Sequence, residues 1–363
     1  MINDVGEGNS SQISPVSIAD AVDVYAEALG DFSETTTALE RRVIETLADD
    51  GVDVLFVQGR TKTPESLARK LARLDAAGRD FDDPVREMHD LSGLRIITAL
   101  PEQVPDVVRS LKRGRWFYCL RDQEKDTTIR ESGVYGYISR HLVCAVRSTG
   151  ELGKAEIPLT SASTGAAHRR TSRAVTFEIQ VRTILSHAWA EIEHDIRYKN
   201  PNPVAWTPAL DRAFTQTASL IEAAETAFAS IHDNHQQLLR WHKEPEKLNS
   251  KNLTELCDIV LPHVDRNTEE SLEFAVQLLA DNDITSTREL MDLISAEDVT
   301  LVRKRMAHSY EPGLARLIDD LLLQRYGEKH IAATVQHGGE DREAKLRSRL
   351  RLLTEPEAEP EDA

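Results

Sequence analysis

The stretch Ala174–Arg182 (AVTFEIQVR) alternates apolar and polar residues with a period of two, the pattern of a β-strand. Side chains alternate across a strand. Val175, Phe177, Ile179 and Val181 therefore share one face, while Thr176, Glu178, Gln180 and Arg182 share the other. The apolar face needs a packing layer. The polar face has two readings: an ordinary solvated surface, or a cleft floor on which Glu178 serves as metal ligand or general base beside amide and guanidinium groups. A strand of this kind needs a sheet, and the preceding sequence supplies it. Val54–Val57, Leu94–Ala99, Arg115–Leu120 and Ile138–Val146 read as strands. Pro64–Ala76, with proline in its first turn and Ala77-Gly78 after it, reads as a helix, as do Pro101–Lys112 and Ile184–Tyr198. The expected fold class is α/β (α+β), a mixed sheet flanked by helices.

Outside this alternation the chain is helical or polar. Residues 1–16 read as a flexible N-terminus. Helical stretches follow at 17–29 and 33–48, with Gly30 as the break and Ser33 as N-cap. Residues 147–173 are rich in Ser, Thr, Gly and basic residues and read as a flexible insertion. After Asn200 strands disappear. Ala209–Trp241 is a long helical stretch, Pro245 begins a linker, and 246–337 reads as a small all-α domain of unknown role. Residues 338–363 read as a charged, mostly disordered tail. The first domain is thus expected at 17–245, with its core at about 45–200. A length of 363 residues suits two domains.

The chain carries 44 Lys and Arg against 61 Asp and Glu, a net charge of −17. That balance argues against general DNA binding or a membrane-surface role, yet leaves room for a small basic pocket. No apolar run reaches the ~18 residues of a membrane helix, and no basic-then-apolar leader is present. Cys119, Cys144 and Cys257 lack metal spacing. The expectation is a reducing, cytoplasmic setting without a disulfide framework.

Several segments carry candidate chemistry. Tyr137, Ser139 and His141 share a strand face, either structurally or as a stacking platform with a hydrogen-bonding partner. In the segment 59–70, Arg60 and Lys62 precede a helix on which Ser66 and Lys70 share a face. This is an anion site or a plain surface helix with scattered cations. Asp90, at a strand start, is a turn former or a Mg²⁺ ligand. In the helix at 183–198, His187, Glu191 and His194 mimic a zinc set without matching H-E-x-x-H. Leu185, Ala188, Trp189, Ile192 and Ile196 form a stripe expected to be core.

Four motifs in order, GRTKTPESLARKL (59–71), DLSGLRI (90–96), GYISRH (136–141) and FEIQVRTILSHAWAEIEHDIRYK (177–199), resemble the synthetase domain of the RelA/SpoT alarmone synthetase family over roughly residues 45 to 200. The resemblance implies a nucleotidyltransferase-like mixed sheet. It also implies transfer of the β,γ-pyrophosphate of ATP to the 3′-hydroxyl of GDP or GTP, with release of AMP. It implies that Arg60, Lys62, Ser66 and Lys70 hold ATP, with Arg73 and Arg95 helping. Asp90 and Glu178 would hold Mg²⁺, and Glu178 would take the hydroxyl proton. Tyr137 would stack on the acceptor base, with His141 and Gln180 holding the acceptor. His187, where the family often has Asn or Asp, and Lys125 belong to the same acceptor side.

The sequence departs from the family there. Ile138 replaces an Arg, with Arg140 as a substitute only if its face also borders the ligand or the strand is bulged. Ser132-Gly133 stand in place of Pro-Lys, with Lys125 and Arg130 as compensating cations. The altered acceptor half keeps two alternatives open: a toxin-like member that modifies the 3′-terminal adenosine of tRNA, and a degraded nucleotide-sensing module. No hydrolase segment of the family is expected, and the helical domain is expected to serve a homo-oligomer or a regulatory protein partner.

Overall fold

The structure is a computed structural model that describes residues 17–81, 83–114, 116–124, 139–147, 176–198, 207–264, 269–306 and 312–354. The chain divides into two compact units, residues 1–229 and 230–363.

The first unit is built on five strands: β1 (Phe56–Thr61), β2 (Ser92–Thr98), β3 (Phe117–Glu124), β4 (Arg140–Val146) and β5 (Thr176–Thr183). Their order is β1-β2-β5-β4-β3. β2 and β5 run parallel and the other neighbours antiparallel, so the sheet is mixed as expected. Its apolar face is covered by α2 (Leu29–Asp49) and α5 (Gln103–Arg113). Phe177, Ile179 and Val181 are fully buried there, with Leu94, Ile96, Leu142 and Cys144, against Leu39, Val43, Val107 and Leu111. Burial of such side chains stabilises the fold by about 1.5–3 kcal/mol each.

A second cluster joins α1 (Ile18–Glu27) to α3 (Pro64–Ala76) and the short α4 (Pro84–Glu87), through Tyr25, Phe32, Leu67, Leu71, Val85 and Met88. Pro64 opens α3, and the Thr63 hydroxyl caps it by accepting from the Ser66 amide at 3.3 Å.

The N-terminal helices differ from the expectation. Ser17, not Ser33, supplies a cap, and the break falls at Ala28 rather than Gly30. The Tyr25 and Phe32 rings pack 5.0 Å apart across that joint, and this contact fixes it without a glycine. Strand β1 begins at Phe56, later than the apolar run 54–57, because its pairing follows β2 out to Thr61.

After β5 comes α6 (Ile184–Glu193), which continues as a π-helical turn, His194–Tyr198. Of the apolar stripe expected to be core, only Trp189 is buried; Ile192 and Ile196 are 55% and 45% exposed. The wider π turn takes Ile196 off the helical phase on which the stripe was read, while Ala188 and Ile192 are exposed within the regular helix before it. Then α7 (Pro208–Lys243) begins. In the first unit its Glu225 is buried and accepts hydrogen bonds from Thr183 and from Ser186, the latter at 3.0 Å.

The second unit holds the end of α7 and α8 (Ser250–Val260), α9 (Glu269–Ala280), α10 (Thr287–Leu293), α11 (Ala296–Met306), α12 (Leu314–Tyr326), α13 (Glu328–Thr334) and α14 (Arg342–Thr354). Trp241 is fully buried in its core with Leu253, Leu256, Leu278, Leu317 and Leu321. This is why the unit begins inside α7 and not at the Pro245 linker.

The expected disordered tail is corrected by α14, which buries Leu346 and Leu353. Its Arg349 reaches Asp319 at 2.6 Å and also pairs with Asp320. Asp319 further accepts from Arg342 at 2.8 Å and meets His330 at 2.9 Å. These buried pairs tie a charged segment to the core that its sparse apolar residues alone do not advertise.

Candidate active site

Strand pairing sets the polar face of the sheet in rows. Gln58, Arg95, Gln180, His141 and Gln123 lie side by side across all five strands. Two residues along, and so on the same face, stand Arg60, Gly93, Glu178, Val143 and Arg121. Gly93 leaves a notch between Arg60 and Glu178. A Cβ there would meet nothing nearer than the Arg60 carbonyl oxygen at 3.6 Å. The opposite face has no such room: a Cβ on Gly59 would come within 2.8 Å of Glu40 Oε2 on α2.

Asp90, just before β2, gathers two of the expected cations. Its Oδ2 accepts from Lys62 Nζ at 2.9 Å and from Lys70 Nζ at 2.7 Å. Burial alone would raise its pKa, but the two ammonium groups outweigh this and hold it below the ordinary carboxylate range. Its other oxygen, Oδ1, is buried without a hydrogen-bond partner. Tyr25 supports this corner from α1, its hydroxyl donating to the Lys62 carbonyl oxygen at 2.6 Å. Ser66 Oγ accepts from Thr63 Oγ1 at 3.0 Å and Arg69 Nη2 at 3.3 Å. Arg73 is exposed one turn beyond Lys70.

Glu178 is the second carboxylate. Oε1 lies 2.8 Å from His141 Nδ1, and Oε2 accepts from Gln180 Nε2 at 3.1 Å. Burial would raise its pKa, yet these hydrogen bonds and the His141 charge lower it overall, while Asp90 nearby acts weakly in the raising direction. Glu178 is therefore ionised at neutral pH. His141 and Gln180, expected to hold an acceptor, both contact this carboxylate. Arg182 extends the same face but is buried, with its guanidinium on the Gln180 carbonyl oxygen.

The remaining candidates separate. Arg95 pairs with Glu191 Oε1 of α6 at 2.8 Å. His187 sits edge-on to Phe56 with ring centroids 6.2 Å apart, and burial, Arg182 and Arg95 lower its pKa. That places it beside Phe56 at the start of β1.

Arg140 resolves the question of the missing arginine. It pairs in register with Val181, on the helix-covered face, where Asp122 accepts from its Nη2 at 3.0 Å. The register shift lies on β3, between Cys119 and Arg121, not on β4. Arg140 therefore points away from Glu178. Tyr137, Lys125 and Arg130, together with Ser132, Gly133 and Ile138, lie outside the described residues.

Gln58, Arg121 and Tyr25 carry no role in the sequence reading. The first two become visible only through cross-strand register, and no sequence signal marks Tyr25. Glu191, read there with His187 and His194 as a mimic of a zinc set, instead pairs with Arg95.

Among the described residues, no group of three or more His, Cys, Asp or Glu is arranged to hold a metal, and no helix is long and apolar enough to cross a membrane. Two carboxylates on neighbouring strands, one with an unpartnered buried oxygen, do suit Mg²⁺, which takes one or two carboxylates and completes its shell with substrate phosphates and water.

Residues 59–203 match the family model described as the region found in RelA / SpoT proteins. GTP pyrophosphokinase YjbM of Bacillus subtilis is 30% identical over 158 residues, covering 44% of this chain and 63% of the relative. GTP pyrophosphokinase YwaC of the same organism is 29% identical, covering 40% and 60%. The chain thus spans about three fifths of the length of the curated relatives it matches. Among solved structures, small alarmone synthetase 1 from Bacillus subtilis aligns with 59% of this chain and 99% of its own, at 22% identity and a TM-score of 0.45. A GTP pyrophosphokinase family protein from Streptococcus pneumoniae aligns at 21% identity with the same score.

Proposed function

We propose, from the match of residues 59–203 to the region found in RelA / SpoT proteins, that the chain is an ATP-dependent pyrophosphokinase that moves the β,γ-pyrophosphate of ATP to the 3′-hydroxyl of GDP or GTP and releases AMP. The observation that carries this reading is the convergence of Lys62 and Lys70 on Asp90, just before the strand that neighbours the His141-held Glu178. The two similar GTP pyrophosphokinases, YjbM and YwaC, support a guanosine acceptor.

Asp90 offsets one of the two charges of Lys62 and Lys70, so triphosphate oxygens arriving there meet a net positive pair already gathered. Arg60 faces the Gly93 notch and adds a further charge. Asp90 Oδ1 and Glu178 are the residues that would hold Mg²⁺. The ion, when bound, neutralises charge developing on the transferred group. Glu178 is kept ionised and aimed by His141 and Gln180, and accepts the proton of the attacking hydroxyl.

A second acceptor, the 3′-terminal adenosine of tRNA, is favoured by one observation. Arg140 is bound to Asp122 on the covered face, so it does not replace a cation for acceptor 5′-phosphates. Purified full-length protein with Mg²⁺ and γ-labelled ATP tests both, offered GDP, GTP or deacylated tRNA in turn. Label on a guanosine nucleotide supports the first reading and label on tRNA alone replaces it with the second. Label on none of the three removes both.

A further inference from the structure

Cys119 and Cys144 stand directly opposite each other in the antiparallel pair of β3 and β4. Opposed residues of such a pair have Cα atoms about 4.5–5.5 Å apart, inside the ~4.4–6.8 Å that a disulfide spans. The ladder shifts immediately afterwards, so that pairing skips Leu120 and resumes with Arg121 opposite Val143. A bulge loosens and twists the strand locally, which gives the two Cβ atoms freedom to close the remaining gap. β3 is the edge of the sheet. Cys119 is exposed on it, while Cys144 is fully buried behind it.

We propose that Cys119 and Cys144 form a reversible cross-strand disulfide by exchange with a small-molecule disulfide, clamping the edge strand to β4. Cys119 has the access to begin the reaction. Burial raises the pKa of both thiols, but their interaction with each other lowers Cys119 and raises Cys144, so Cys119 ionises first. Its thiolate attacks one sulfur of the oxidant, RSSR, forming a Cys119–SR mixed disulfide and expelling RS⁻. Cys144 then gives its proton to the expelled RS⁻ and attacks the Cys119 sulfur from the buried side, and the second RS⁻ leaves outward and takes a proton from solvent. In total, two protein thiols and RSSR give one protein disulfide and two RSH. The clamp joins the strand that carries Arg121 and Gln123 to the strand that carries His141, so it fixes the relative register of groups on the open face.

The test needs no catalysis, so its outcome is independent of the activity proposed above. Full-length protein is incubated with oxidised glutathione at about pH 8.5, where a larger thiol fraction is ionised, then analysed by intact mass and non-reducing peptide mapping. The expected product lacks two hydrogens, joins the 119 and 144 peptides, and reverts with dithiothreitol. Amide exchange over Phe117–Glu124 should slow by about tenfold or more in that form. Cys119→Ser, at an exposed position, should leave the mass unchanged. Cys144→Ser should stop at a glutathione adduct on Cys119. Three free thiols after treatment of the unmodified chain, an adduct that persists on its Cys119, or a link through Cys257 or a second chain would each overturn the proposal.

Discussion

Glu178→Gln preserves the volume of the side chain and removes its charge. In the structure Glu178 has two partners: His141 Nδ1 at 2.8 Å and the Gln180 amide at 3.1 Å. A glutamine keeps an acceptor for one of them and turns an N–H₂ toward the other. The folded state therefore loses one hydrogen bond to a charged group, about 1.5–3 kcal/mol as an upper bound for a side chain still 20% exposed. The expected cost in melting temperature is several degrees, with the fold intact. Catalysis loses more. A positioned general base contributes about 10²–10⁴-fold, or ~2.7–5.5 kcal/mol of barrier, and the same change removes a charged Mg²⁺ ligand. The expected fall in kcat is thus about 10³-fold or greater, measured as label transferred from ATP to the accepted nucleotide at saturating substrate. The pH profile adds a second reading. The Glu178 pKa is depressed, so in the unsubstituted protein the basic form persists as pH falls, and the acid limb assigned to this group lies below the ordinary carboxylate range. A variant with well-folded circular dichroism and turnover within tenfold of the parent would refute the role of Glu178.

Asp90→Asn should abolish transfer while leaving ATP binding intact or tighter, because Lys62 and Lys70 lose their internal counter-ion; calorimetric loss of ATP binding would contradict this. Asp319→Asn leaves Arg349 and Arg342 short of a buried partner and should destabilise the helical unit by about 3–5 kcal/mol in urea unfolding. The folded-state pKa of Asp319 is depressed, so its contribution is fully present above the unfolded value and is lost as pH falls through the folded one. The gap between parent and variant should be complete above about pH 5 and narrow below about pH 4. Gly59→Ala sets a Cβ against Glu40 Oε2 at 2.8 Å and Thr36 Cγ2 at 3.0 Å, and should cost about 1–3 kcal/mol by thermal denaturation.

Much of the sheet was legible because its strands carry strong period-two patterns, and β5 above all: Phe177, Ile179 and Val181 went to the covered face as their alternation required. Asp90 and Lys62 were legible as candidates because they sit just before a strand and a helix, and Lys70 because it shares a helix face with Ser66. Their meeting at one oxygen was not, since it depends on how α3 docks beside β2. Partnership across strands was equally hidden. His141 was read as an acceptor contact and is a partner of Glu178, while Arg140, adjacent in sequence, faces the other way. Helix ends failed where packing overrode local signals, as at Ala28 between Tyr25 and Phe32. The charged segment at 342–354 failed because its order comes from buried ion pairs with α12, and periodicity has no record of those.

The strand order has a consequence for how the site comes into being. β5 is last in the chain yet occupies the middle of the sheet, between β2 and β4. As the protein emerges from the ribosome, β1 can pair with β2 and β3 with β4, but the two strand pairs have no common edge until residues 176–183 insert between them. Asp90 belongs to the first pair's half, His141 to the second, and Glu178 to the inserting strand itself. A nascent chain that ends before β5 thus holds every gathered lysine and neither the base nor the join, and the chemistry switches on only when the central strand closes the gap.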